Sequence, residues 1–207
     1  MKLIKYSAAA LLALSSITAN AGLLKIEAGT NAAIPTTNDF RLHVGAIADY
    51  NFGGNLKANQ TGDLQLTFNF LGAEAGATNT FSSGAGSINN TTTKSPFSYV
   101  QSFTDGDLID FSFTTDRLAP AFNYVLNGGN VIGDGVVSFA VALNKTYKGI
   151  AYDAILFFDD AGGLNDDDNH DDLLIGVRAV EVPESSAFVL MLLGLAGLAG
   201  ARRRKLN

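Results

Sequence analysis

Cysteine is missing altogether from this 207-residue chain. Its absence excludes a disulfide framework, thiolate metal ligands and a thiol nucleophile. Histidine occurs twice, as His43 and His170. A Ser-His-Asp triad would have to use one of these, and neither lies in a recognisable nucleophile context. No G-x-S-x-G, P-loop or H-E-x-x-H segment occurs. Tryptophan is absent too, which removes the largest aromatic platform for stacking against a sugar ring.

Basic residues are also scarce where a folded domain is expected. Setting aside residues 1–21 and 184–207 removes six of the 14 Lys and Arg and one of the 20 Asp and Glu. The rest stands at −11, against −6 for the whole chain. A domain this acidic is a poor match for a phosphate backbone, so nucleic-acid binding is not expected. The roughly 160 residues left are enough for one domain with a real core.

Both ends carry unusual order. Lys2 and Lys5 precede a short apolar run, Ala8 to Ile17, and then Ala19-Asn20-Ala21. A basic region, an apolar region too short to span and a small-x-small site form the pattern of a secretory signal peptide. The expected cut follows Ala21, and the mature chain begins at Gly22. At the other end, Val182-Pro183-Glu184-Ser185-Ser186 precedes fifteen uncharged residues, Ala187 to Ala201. The cluster Arg202, Arg203, Arg204 and Lys205 follows. Pro183 disfavours helix at Val182 and keeps the motif extended. Fifteen helical residues span roughly 22 Å against a hydrocarbon core of about 30 Å. Snorkelling arginines make up part of the difference, and a basic cluster stays on the cytoplasmic side.

This tail resembles the PEP-CTERM sorting signal of Gram-negative bacteria: a Val-Pro-Glu-Pro-type motif, a Gly/Leu-rich membrane stretch and an Arg-rich end. Ser185 departs from that pattern, standing where a second proline is usual. The resemblance implies recognition by an exosortase, a membrane enzyme that cuts near the motif. It implies export through the secretion machinery and an inner-membrane intermediate. Release to the cell surface or extracellular matrix follows, in bacteria that make biofilm and exopolysaccharide.

Between the ends the chain predicts an all-β domain over residues 22–181, an antiparallel β-sandwich or jelly-roll-like fold. Residues 64–70, LQLTFNF, alternate apolar with polar, as do segments around 109–114, 137–143 and 173–179. Period two is the signature of half-buried strands. Further strands are expected at 23–28, 40–52, 97–104, 121–126 and 148–158. Gly/Asn/Asp turn signals, such as Asn127-Gly128-Gly129-Asn130, separate them. Residues 72–95 are rich in Gly, Ser, Thr and Asn and read as a long surface loop, with room for a short strand around Phe81. Sequons at Asn89, Asn90 and Asn144 read as chance matches in a bacterial chain.

Residues 157–173, FFDDAGGLNDDDNHDDL, concentrate seven aspartates. Two readings stand open: a solvated acidic hairpin loop, or a structural Ca²⁺ site. Ca²⁺ takes six to eight oxygen ligands, and Asp159, Asp160, Asp166, Asp168 and Asp172 are the preferred set. The spacing departs from an EF-hand at His170. The segment is similar to aspartate-rich stretches that precede a final strand in bacterial surface domains of the PEP-CTERM type.

The expected function is that of a non-enzymatic surface or matrix protein. The alternative is a calcium-supported carbohydrate-binding module holding extracellular polysaccharide. Tyr50, Phe52, Tyr99, Tyr124 and Tyr147 are its candidate aromatics.

Overall fold

Alternation in the segment around Phe68 builds the middle of the domain. The computed structural model describes residues 22–45, 49–84, 86–120, 123–131, 133, 135–161, 169–183 and 191–196. Strand β5, Gly62–Gly72, turns Leu64, Leu66 and Phe68 inward, and all three are fully buried.

Strand β5 belongs to a seven-stranded sheet. Its other members are β2 (Thr30–Ala33), β3 (Asp49–Phe52), β8 (Phe97–Phe103), β11 (Ser138–Tyr147), β12 (Ile150–Asp159) and β13 (Leu173–Glu181). The spatial order is β2-β3-β11-β12-β13-β5-β8. A four-stranded sheet has the order β10-β9-β6-β7. It is made of β6 (Asn79–Ser83), β7 (Gly86–Asn89), β9 (Ser112–Thr115) and β10 (Tyr124–Leu126). Strands β1 (Leu24–Glu27) and β4 (Asn55–Ala58) form a separate pair. Every neighbouring pair runs antiparallel. The chain is therefore all-β and sandwich-like, as the sequence pattern predicts at that level.

The main core lies between the large sheet and the smaller ones. Phe113 of β9 stacks on Phe158 of β12 at 4.7 Å between centroids and 7° between planes, joining the two layers. Phe81, Phe111 and Phe139 surround that pair. Aromatic pairs of this kind add to plain area burial.

A second core lies on the opposite face of the large sheet. Ile34, Val44, Tyr50, Tyr147, Phe157 and Leu174 form it with neighbouring small residues. The half-buried strands expected from the sequence are therefore corrected at the centre. Residues 138–142, 154–159 and 173–177 are buried without alternation. The cause is the segment 34–44, which folds across this face and includes a 3-10 turn at Arg41–His43. The single strand expected over 40–52 is reduced to β3, because Phe40 and Val44 are used to cover the second core. Gly176 makes room for a ring from the neighbouring strand of its own sheet: a Cβ there would lie 2.5 Å from the Tyr152 ring.

The short strand expected around Phe81 is β6, and the rest of the long loop expected over 72–95 is corrected in part: β6 pairs with β7 in a hairpin, with Phe81 and Ile88 both fully buried. Asn89 and Asn90, half-buried beside it, are hydrogen-bonded. Asn90 accepts from the Asn79 backbone N–H at 3.0 Å and donates to the Ala77 carbonyl at 2.8 Å. Asn89 Oδ1 accepts the backbone N–H groups of Thr91, Thr92 and Thr93. The amides of two sequons thus hold a turn together.

Candidate functional site

The ends of the acidic segment are interior. Asp159, Asp160, Asp171 and Asp172 are all at most 5 % exposed, as are Asn169 and His170. At its base, then, this is not the solvated hairpin of the first sequence reading. Register explains why: Asp159 ends β12 and Leu173 opens β13, so the aspartates leave the sheet between its two covered faces.

Each buried carboxylate meets a donor of the protein. Asp160 Oδ1 accepts from Arg117 Nη1 at 2.8 Å, and its Oδ2 accepts from Asn79 Nδ2 at 2.8 Å. Asp172 Oδ2 accepts the Asp160 backbone N–H at 2.8 Å, closing the hairpin base. Asp171 Oδ2 accepts the Asp39 backbone N–H at 2.8 Å. Asp159 Oδ1 accepts the Ala161 backbone N–H at 3.0 Å. Asn38 donates to the Asn169 carbonyl at 2.8 Å, and the Glu74 N–H reaches the Asp171 carbonyl. The segment thereby ties the β12–β13 hairpin to residues 37–40, to β6 and to the chain after β9. Charge-assisted bonds of this type are among the stronger ones in a fold.

Of the five predicted metal ligands, Asp159, Asp160 and Asp172 lie at the base of the hairpin, with the Asp159 carboxylate towards His170 and the Asp160 carboxylate towards Asn79 and Arg117, while Asp166 and Asp168 lie outside the described residues. Among the described residues no group of three acidic or histidine side chains is arranged to hold a metal ion. Asp160, bonded at both oxygens, is the least suited of the three. Asn79 contributes an oxygen that the sequence did not single out. It is fully buried, and its Oδ1 has no hydrogen-bond partner among the described residues.

His170 stands beside the same cluster. Its Nε2 lies 3.0 Å from Ser138 Oγ and its Nδ1 lies 3.8 Å from Asp159 Oδ2. Its ring meets Tyr50 edge-on at 5.7 Å, and its φ of +59° holds it in the left-handed region. The residue types are those of a nucleophilic triad, but 3.8 Å between Nδ1 and Asp159 Oδ2 is beyond hydrogen-bond distance. Ser138, in addition, is 3 % exposed at the start of β11, so a substrate carbonyl has no approach to its hydroxyl in this arrangement.

A groove of about 310 Å³ opens elsewhere on the large sheet, lined by Asn144, Lys145, Tyr152, Asp153, Arg178 and Val180 among others. Arg178 lies over the Tyr152 ring at 5.1 Å. Asp153 accepts the Ala179 N–H at 2.8 Å, where the β12–β13 ladder has ended. Among the described residues, none of the acidic segment lines this groove. Of the aromatics named for sugar binding, Tyr50 and Tyr147 are buried and Tyr124 is exposed. Phe52 and Tyr99 are half-buried.

The two ends join the domain at defined points. The Gly22 carbonyl accepts from Asn59 Nδ2 at 2.8 Å. After β13, the Val182 N–H donates to the Asp63 carbonyl at 2.9 Å, and Pro183 is exposed. Residues 191–196 are helical. Among the described residues no helix is long and apolar enough to cross a membrane. The rest of the expected span 187–201 lies outside the described residues. So do Ala19, Ala21, Glu184 and the cluster Arg202, Arg203, Arg204 and Lys205.

No family model, curated protein or solved structure matches the chain.

Proposed function

We propose that this chain is a non-enzymatic exported protein of the cell surface or extracellular matrix, delivered through a PEP-CTERM-like tail and processed by an exosortase. The observation that carries the reading is the order of the tail: Val182-Pro183-Glu184, an uncharged stretch and four basic residues. The exposure of Pro183 one residue beyond the last bond of the sheet supports it, because a processing enzyme needs extended, reachable backbone. Gly22, bonded to Asn59, supports a mature domain that starts there and ends near Glu181. The finer sandwich or jelly-roll assignment, and the links to biofilm and polysaccharide, belong to the same proposal.

The test is the intact mass of the protein recovered outside Gram-negative cells with and without an exosortase. Loss of residues 1–21 in both strains, and of the segment beyond about Glu184 in the exosortase-bearing strain alone, supports the reading. A full-length tail in both strains overturns it and leaves the basic cluster as the end of a permanent anchor.

A calcium-supported carbohydrate-binding module is the second reading. Its favouring observation is the burial of four carboxylates at the base of one loop, the oxygen donors that Ca²⁺ takes. Because Asp160 serves Arg117 and Asn79, the ligand reading falls on Asp159 and Asp172. Calorimetric titration with Ca²⁺ decides it: saturable heat that Asp159→Asn abolishes supports an ion, and no heat at millimolar Ca²⁺ excludes one.

A further inference from the structure

The seven-stranded sheet ends in two unlike edges. Strand β2 at one edge is four residues long, and the outer strands β7 and β10 of the small sheet have four and three. Strand β8 at the other edge has seven residues, Phe97–Phe103, with the sequence FSYVQSF. It contains no charge and no proline. Among the described residues no strand pairs with its outer side and no loop backbone group bonds to it. Ser98, Val100, Gln101 and Ser102 are exposed, Val100 by 54 %. Natural edges are normally shortened, bulged or charged, because an open edge pairs with other strands.

The strand is also nearly palindromic about Val100. Reversed against itself, it sets Phe97 opposite Phe103, Ser98 opposite Ser102, Tyr99 opposite Gln101 and Val100 opposite Val100. In an antiparallel pair, opposite residues share a face. The aromatic residues that touch the main core, Phe97, Tyr99 and Phe103, would therefore all lie on one side of the joined sheet. Charge agrees with the same direction: Lys94 precedes the strand, and Asp107 follows it, with Asp105 already paired with Lys25 of its own chain. Antiparallel pairing brings the basic end of one strand to the acidic end of the other, whereas parallel pairing brings like to like.

We propose that β8 is a self-association edge, which pairs antiparallel with β8 of a second copy about a two-fold axis through Val100. The interface is isologous, and it joins two seven-stranded sheets into one continuous sheet. A single strand pair is smaller than the roughly 1,200 Å² of the smallest stable interfaces, so association depends on concentration. A surface at which many copies are crowded supplies that concentration. The proposal concerns the folded domain and does not depend on how the chain is delivered.

The absence of cysteine makes the test specific. In full-length protein purified in mild detergent, Val100→Cys places two thiols opposite each other, within disulfide reach. Ser98→Cys places them four residues out of register. Mild oxidation is expected to cross-link Val100→Cys into a dimer. Ser98→Cys alone should stay monomeric, and the Ser98→Cys/Ser102→Cys double variant should cross-link. Leu42→Cys, on an exposed side chain away from β8, measures random collision and any association through the tail. Val100→Lys sets like charges face to face and is expected to lower the weight-average mass in sedimentation equilibrium, with unchanged circular dichroism. Cross-linking of Val100→Cys no greater than that of Leu42→Cys overturns the proposal. So does a folded Val100→Lys with undiminished mass.

Discussion

Arg117 holds Asp160 across 2.8 Å, with the carboxyl side chain fully buried and the guanidinium side chain 32 % exposed. The pair fixes the chain after β9 to the end of β12, and Asn79 of β6 completes the carboxylate from its other side. Removing the buried member takes the acceptor from Arg117 and Asn79, whereas removing Arg117 takes the guanidinium from a buried charge.

Asp160→Ala is expected to destabilise the domain by about 3 kcal/mol, the range for breaking a buried, hydrogen-bonded charge. Arg117→Ala should cost at least as much, because it leaves the fully buried Asp160 carboxylate without its guanidinium. The double variant should cost less than the sum of the two, since both substitutions remove one interaction. Urea unfolding of the four proteins measures the cycle. Strict additivity would mean that the two side chains do not act as a pair.

The large sheet and its neighbour are joined by the stack of Phe113 on Phe158. Phe113 is fully buried and also touches Phe81, Phe111 and Phe139. Phe113→Ala leaves a cavity between layers that cannot collapse without moving both sheets, and a loss of about 4 kcal/mol is expected. Phe113→Leu keeps most of the volume and should recover more than half of it. Equal losses for the two would show that the site closes around smaller residues.

Gly176 is a different kind of contact. A methyl group there meets the Tyr152 ring, which Arg178 covers from outside. Gly176→Ala is expected to cost about 2 kcal/mol, as overpacking does. Adding Tyr152→Ser removes the obstacle, so the double variant should be more stable than the sum of the single losses predicts. A denaturation midpoint for Gly176→Ala equal to that of the parent would refute the close approach.

The sequence exposes the strands whose period-two pattern has one polar face. Strand β5 is legible because Gln65, Thr67 and Asn69 separate its apolar residues. Of the β6–β7 hairpin only the strand around Phe81 is legible; β7 is hidden because its one large apolar residue, Ile88, stands amid polar and small residues. Loss of alternation in β12 and β13 is readable as burial on two faces, but nothing local says that residues 34–44 supply the second cover. The acidic segment shows the same limit. Its composition marks a special place, while the donors that hold it, Arg117, Asn79 and the Asp39 N–H, come from distant parts of the chain. Ser138 and His170 meet for the same reason, through register rather than motif.

Asp49 gives a prediction with a defined pH window. Asn31 Nδ2 donates to its Oδ2 at 2.8 Å and Lys145 Nζ to its Oδ1 at 2.9 Å. The amide bond first, then the lysine, lower its pKa to about 2. An unfolded aspartate titrates near 3.9. A depressed folded pKa means that the stabilisation is present above the unfolded value and is lost as pH falls through the folded one. The advantage of the parent over Asp49→Asn should therefore be constant above about pH 5 and shrink steadily towards pH 2. The carboxyl is half exposed, so the effect is small and should weaken further in high salt. Urea midpoints of the two proteins, measured from pH 6 down to pH 2 at low and high ionic strength, test this. A difference that does not change with pH would assign the role of Asp49 to shape rather than charge.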